Sequence, residues 1–167
     1  MPSLTTALVK SDAVLTATAD ANITDAETVV IAGKTYTFKT SLTDTDGFVK
    51  AVTAFAPNMA NLVKAINLTG VAGTDYATST TKNKDVLAVL TSSGVVTITA
   101  RVGGTVGNFI PITVGTSAVV LSGESSGKLN GGLGDIAEAI NDLQARGQLN
   151  SDIIEFLALL EIGPQVS

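Results

Sequence analysis

All 23 threonines of this 167-residue chain lie between Thr5 and Thr116. No other feature of the sequence limits the fold as strongly. Threonine is branched at Cβ, which restricts its rotamers in a helix and suits it to the pleated surface of a sheet. The front two-thirds of the chain is therefore expected to be rich in strands. The threonine-free remainder lacks that bias, and its apolar residues recur at helical spacing, so it is expected to be helical.

Within the threonine-rich part, residues 13–18 read as a first strand and residues 20–25 as a polar turn. The run Thr28 to Ile31, then Ala32-Gly33, then Lys34-Thr-Tyr-Thr-Phe-Lys39, reads as a β-hairpin, with Tyr36 and Phe38 on one face of the second strand. Residues 47–56 fit a strand, a helix or part of each. Pro57 suits the first turn of a helix, where backbone N–H groups have no intrahelical partner. Met59, Leu62, Val63 and Ile66 then recur at helical spacing, so Pro57 to Asn67 reads as an amphipathic helix, ended by Gly70. Residues 71–84 read as a loop. Val86 to Thr91 and Val95 to Arg101 flank Ser92-Ser93-Gly94 and read as a second hairpin with a three-residue turn. Residues 109–114 and 118–121 add one or two further strands, and Pro111 places the first of them at a sheet edge or at its own start.

The expected fold class is α+β: two β-hairpins packed with one helix, followed by a Gly-rich neck and a C-terminal helical pair. In domain terms this divides the chain into 1–121, 122–134 and 135–167. The neck reading rests on five glycines between Ser122 and Gly134. In the last part, Asp135 and Glu138 form a capping pair ahead of Ile136, Ala139, Ile140 and Leu143. A second helix follows, with Asp152 and Glu155 in its first turn. From Ile153 to Leu160 only Glu155 is polar. A helix apolar on nearly all sides must be buried, either on its own β-part or on another subunit. On the second alternative Ile153, Ile154, Phe156, Leu157, Leu159 and Leu160 form an interface between copies or with a partner protein.

The chain has no His, no Cys and no Trp. Disulfides and Ser–His–Asp or Cys–His catalysis are thereby excluded, and the usual zinc, haem, iron–sulfur and copper sites lose their ligands. The net charge is −5. Residues 1–128 carry nine basic and nine acidic side chains, so the whole net charge resides in residues 129–167, where six acids face Arg146 alone. Neither part clusters enough Lys and Arg to clamp a nucleic-acid backbone. No segment has the ~18 apolar residues needed to span a bilayer, and Met1 to Thr18 lacks the pattern of a signal peptide. Low charge (15% of residues) combined with a positive mean hydropathy suits a surface that neighbouring molecules cover.

The motifs with chemical overtones have plainer explanations. Gly123 and Gly127 enclose three residues where a phosphate loop needs four, and Leu129 stands where that loop needs Ser or Thr. Asp44-Thr-Asp46-Gly47 mimics the centre of a calcium loop, but Leu42 and Thr53 occupy the positions of its first and last carboxylates. Asn22 and Asn67 begin glycosylation-type triplets without a secretory signal beside them. Capping accounts for the acid pairs of the tail. Lys82 and Lys84 flank Asn83 in a loop and read as solvated surface. No catalytic, cofactor-binding or metal-binding residue is expected, and no cofactor.

Several segments occur in a characteristic order. The hairpin strand Lys34-Thr-Tyr-Thr-Phe-Lys39 is followed by Met59-Ala-Asn-Leu-Val-Lys-Ala-Ile-Asn67 and by Gly73-Thr-Asp-Tyr76. Ser92-Ser-Gly-Val-Val-Thr-Ile-Thr-Ala100 and Gly104-Thr-Val-Gly-Asn108 complete the series. This order resembles a small Thr- and Ala-rich β-domain of tailed-bacteriophage virion structural proteins, of the head-decoration, tail or fibre type. The resemblance runs from about Leu15 to about Asn130, roughly two-thirds of the chain. It implies a non-enzymatic virion protein made in the host cytoplasm. A capsid decoration or cement-like minor head protein is the first expectation. It would bind the major capsid protein and its own copies as a homo-oligomer, with a trimer as the candidate order. A tail, neck or fibre-base component that binds tail proteins is the alternative. A host-glycan-binding module is a further one, and it would need exposed aromatic side chains.

Overall fold

In the computed structural model, residues 9–17 and 23–132 are described. Over them the chain folds into a mixed α+β structure that is mostly β. The strands are β1 (Asp12–Ala17), β2 (Thr28–Ile31), β3 (Lys34–Lys39), β4 (Phe48–Lys50), β5 (Val86–Ser92), β6 (Val95–Ala100), β7 (Ile112–Gly115) and β8 (Val119–Ser122). The helix α1 (Phe55–Asn67) lies between β4 and β5, and a 3-10 turn covers Thr105–Phe109. The strands form two four-stranded sheets, in the orders β5-β6-β1-β8 and β4-β3-β2-β7.

Each expected hairpin forms, but the two belong to different sheets. β2 and β3 pair antiparallel from Thr28↔Thr37 to Ile31↔Lys34. Their Ala32-Gly33 turn has φ of 54° and 76°, the left-handed geometry of a two-residue hairpin loop. β5 and β6 pair from Val86↔Ala100, and after an irregularity past Leu90 they close at Ser92↔Val95. The loop is therefore the two residues Ser93-Gly94, one fewer than expected, because the extra residue is absorbed within the strand. The remaining pairings join distant parts of the chain. β1 lies between β6 and β8, and β2 lies between β3 and β7, all antiparallel, while β3 and β4 run parallel. β7 is an edge strand, in keeping with Pro111 just before it.

The alternation of each strand supplies the core. Ala13, Leu15, Ala17, Val86, Ala88, Val96, Ile98 and Ala100 turn inward from the first sheet, and Val29, Ile31, Tyr36, Phe38, Val49 and Ile112 from the second. The helix adds Met59, Leu62, Ala65 and Ile66, and packs against β5 and β6 of one sheet and β4 of the other. The ambiguous stretch 47–56 is thus a short strand followed by the first residues of the helix. The helix ends at Asn67 as expected, with Leu68 rather than Gly70 as its cap: Leu68 takes the left-handed conformation (φ 56°), and its N–H bonds to the Lys64 carbonyl.

The glycine-rich segment from Ser122 lies on this body as far as it is described. Asp12 and Asn130 exchange backbone hydrogen bonds of 2.8 and 3.0 Å, and the N–H of Ile112 donates to the carbonyl of Gly127 at 2.8 Å. Leu129 is buried in the core. Gly132 packs so closely on Ser11 that a Cβ there would sit 2.2 Å from the serine oxygen. Residues 123–132 are thus hydrogen-bonded to and packed on the β-body. The expected helical pair of residues 135–167 lies outside the described residues.

Candidate functional site

The expected interface residues Ile153, Ile154, Phe156, Leu157, Leu159 and Leu160 lie outside the described residues, so surface features must be sought on the β-body. The outer face of the first sheet is the most distinctive. Strand alternation that sends Leu15 or Ile98 inward sends their neighbours outward. Registered across the sheet, these form three rows: Leu87, Thr99 and Asp12; Val89, Thr97, Val14 and Ser122; Val95, Thr16 and Val120. Val89 and Val120 are about half exposed, at 47% and 50%, and Leu87 is 41% exposed. Asp12, at one margin, is the only charged side chain in these rows.

A sheet that faces water normally alternates apolar-in with polar-out, and charged residues guard its exposed side. Here the outward positions hold valine, leucine and threonine. The threonine methyl and hydroxyl make the face able both to pack and to hydrogen-bond. The edge of the same sheet is partly blocked. The carboxamide of Asn67 donates to the carbonyl of Ala88 at 2.6 Å and accepts from its N–H at 3.1 Å, in place of a further strand. The open surface of this sheet is its face.

The other motifs singled out in the sequence have structural roles. Asp44 accepts from the N–H of Ser79 at 2.6 Å. Asp46 accepts from Lys34 Nζ at 2.6 Å and from the N–H of Thr81 at 2.9 Å. Both carboxylates therefore pin the loop before β5, and among the described residues no group of three or more acidic side chains could hold a metal ion. Burial opposes ionisation of Asp46, but the Lys34 ammonium and the Thr81 N–H outweigh it and hold the carboxyl below its ordinary range. In the phosphate-loop look-alike, Glu124 accepts from the N–H of Gly127 at 2.6 Å, so a carboxylate occupies the turn.

Tyr36, Phe38 and Tyr76 are core residues. Burial pushes the Tyr36 hydroxyl up to about 12. Phe109 is the exception among the described aromatics, at 71% exposure, with Lys128 Nζ 5.8 Å from its ring centre. A glycan-binding module would need further exposed rings beside it.

A second surface feature was read in the sequence only as a solvated loop. Thr81, Lys82, Asn83, Lys84 and Arg101 line a groove of about 490 Å³. Asn83 is buried beneath it and organises the loop. Its side chain accepts from the N–H groups of Asp85 and Val86 at 3.0 and 3.2 Å and donates to Ile31 O and Tyr36 Oη, both at 3.3 Å. No sequence motif announces this, because the partners come from β2, β3 and β5.

In comparison with known proteins, the chain matches no family model and no curated protein.

Proposed function

We propose that this chain is a non-enzymatic structural protein of a tailed-bacteriophage virion, a capsid decoration or cement-like minor head protein that binds the capsid and its own copies. The outer face of the first sheet carries the proposal: an almost uncharged surface of Val14, Leu87, Val89, Val95 and Val120, interleaved with Thr16, Thr97 and Thr99. Apolar atoms exposed together over one rigid sheet face favour association, and a building part of a shell works by such contacts. The ordered resemblance of residues 15–130 to virion β-domains supports the same assignment. The absence of His and Cys from the sequence suits a protein whose work is contact.

Copy number per particle tests this reading. Quantified on a gel of purified virions against the major capsid protein, a decoration protein is present in on the order of hundreds of copies, as shell symmetry requires. A tail, neck or fibre-base part gives only a few, set by the tail axis. Absence of the chain from purified particles would overturn both.

A further inference from the structure

We propose that the groove lined by Lys82, Lys84 and Arg101 binds a compact oxyanion, a single carboxylate or phosphate group. The inference stands apart from the virion reading and uses a different part of the surface.

The groove is built, and its charge is left uncompensated. The Asn83 carboxamide fixes the loop from below, and the backbone N–H of Asn83 donates to the carbonyl of Ile66 at 3.0 Å. Arg101 is tied to the same loop twice: its N–H donates to Asp85 O at 2.8 Å, and its Nε donates to Asn83 O at 3.2 Å. That leaves the guanidinium Nη2, which is buried and has no hydrogen-bond partner. A buried donor without an acceptor is costly, and a charged one more so.

The ion pairs among the described residues engage Lys34, Lys39 and Lys64, and none engages Lys82, Lys84 or Arg101. Of the nearby acids, neither forms an ion pair with them. Asp46 is taken up by Lys34 and Thr81. Asp85 lines the adjoining hollow of about 200 Å³, together with Lys34, Lys82 and Lys84.

Three unpaired cations thus converge on one groove of a chain whose net charge is −5. An oxyanion in the groove would accept from the two lysines and lie against Arg101, which makes charge-assisted interactions of the stronger kind. The overall negative charge favours a compact ligand over a polyanion.

The experiment is an NMR titration of the full chain at constant ionic strength, with inorganic phosphate in one arm and acetate in the other. The backbone amides and the Arg101 Nε–H are followed. Saturable shifts centred on residues 81–85 and Arg101 are expected in at least one arm, and the arm that saturates first identifies the preferred group. The K82Q/K84Q double variant is expected to weaken that binding about tenfold or more, as is Arg101→Gln. Both lysines are exposed, so the double variant decides the question even if Arg101→Gln fails to fold. Absence of saturation in both arms, or saturation that K82Q/K84Q leaves unchanged, would overturn the proposal.

Discussion

Asparagine side chains do much of the fine positioning in this molecule, and they do it in one recurrent way. A carboxamide carries an NH2 donor group and a carbonyl acceptor at the spacing of a peptide group, so it can satisfy the N–H and C=O of a single residue together. Asn67 does this for Ala88 on the edge strand β5. Asn58, in the helix, does it for Val52 in the segment that leads into the helix, at 2.7 and 2.9 Å. Asn108 does it for Gly132, with both bonds at 2.9 Å. Each bond pair joins two segments that the backbone ladders leave unconnected. Replacement of Asn67 by Ala strips the buried Ala88 of both partners. A loss of about 1–3 kcal/mol in urea unfolding is expected, with the slope of the transition unchanged. None of these partners is visible in the sequence, where an asparagine in a helix reads only as a weak helix former.

The hairpin β5–β6 shows how an element can be foreseen while its detail is decided elsewhere. Strand propensity and a Ser-Gly turn identify it from the sequence. The length of the loop depends on the irregularity near Thr91, which only the pairing with β6 reveals. Gly94 is required there on two counts. Its φ is +74°, and a Cβ would lie 2.6 Å from the ring of Phe55 at the start of the helix. Gly94→Ala therefore combines left-handed strain with a collision, and a destabilisation of about 2–4 kcal/mol is expected in thermal or urea unfolding. Phe55→Ala in the same background removes the obstacle and should recover part of the loss, which separates collision from backbone strain. The helix was foreseen from its apolar spacing in the same way. Its end at Asn67 follows from the same spacing, but its cap does not, because the left-handed residue is Leu68 and no glycine marks the position.

At the scale of the molecule, three ion pairs among the described residues fasten loops to the framework: Lys34–Asp46, Lys39–Asp25 and Lys64–Asp75. All three carboxyls are held below the ordinary aspartate value of 3.8. Asp25 is lowered chiefly by its bond from Lys39. In Asp46 and Asp75, burial pulls the other way and is outweighed by the lysine and by backbone N–H groups. A carboxyl that ionises more readily in the fold stabilises the fold above its unfolded value. That contribution is present above about pH 4 and is lost as pH falls further through the folded values. Asp75 is the least exposed of the three, with its side chain 15% accessible. Asp75→Asn should therefore flatten the acid limb of the stability curve, and cost on the order of 1 kcal/mol at neutral pH. A variant whose acid limb keeps its full slope would show that the linkage lies elsewhere.

By itself the sequence determined the class of structure and most of its elements. Branched side chains at alternate positions make strands wherever they fall, and a 3.6-residue apolar period makes a helix, because both signals are local. The tertiary structure decided which strands became neighbours. β1 sits between β6 and β8, and β7 joins β2 across some eighty residues of chain, pairings that no local period encodes. The same non-local step brought Asn83, Lys82, Lys84 and Arg101 to one groove, laid the glycine-rich segment through Gly132 against the domain, and turned a row of threonines and valines into an open sheet face. Those arrangements depend on the shape of a shared core, and that shape exists only once the sheets and the helix have packed.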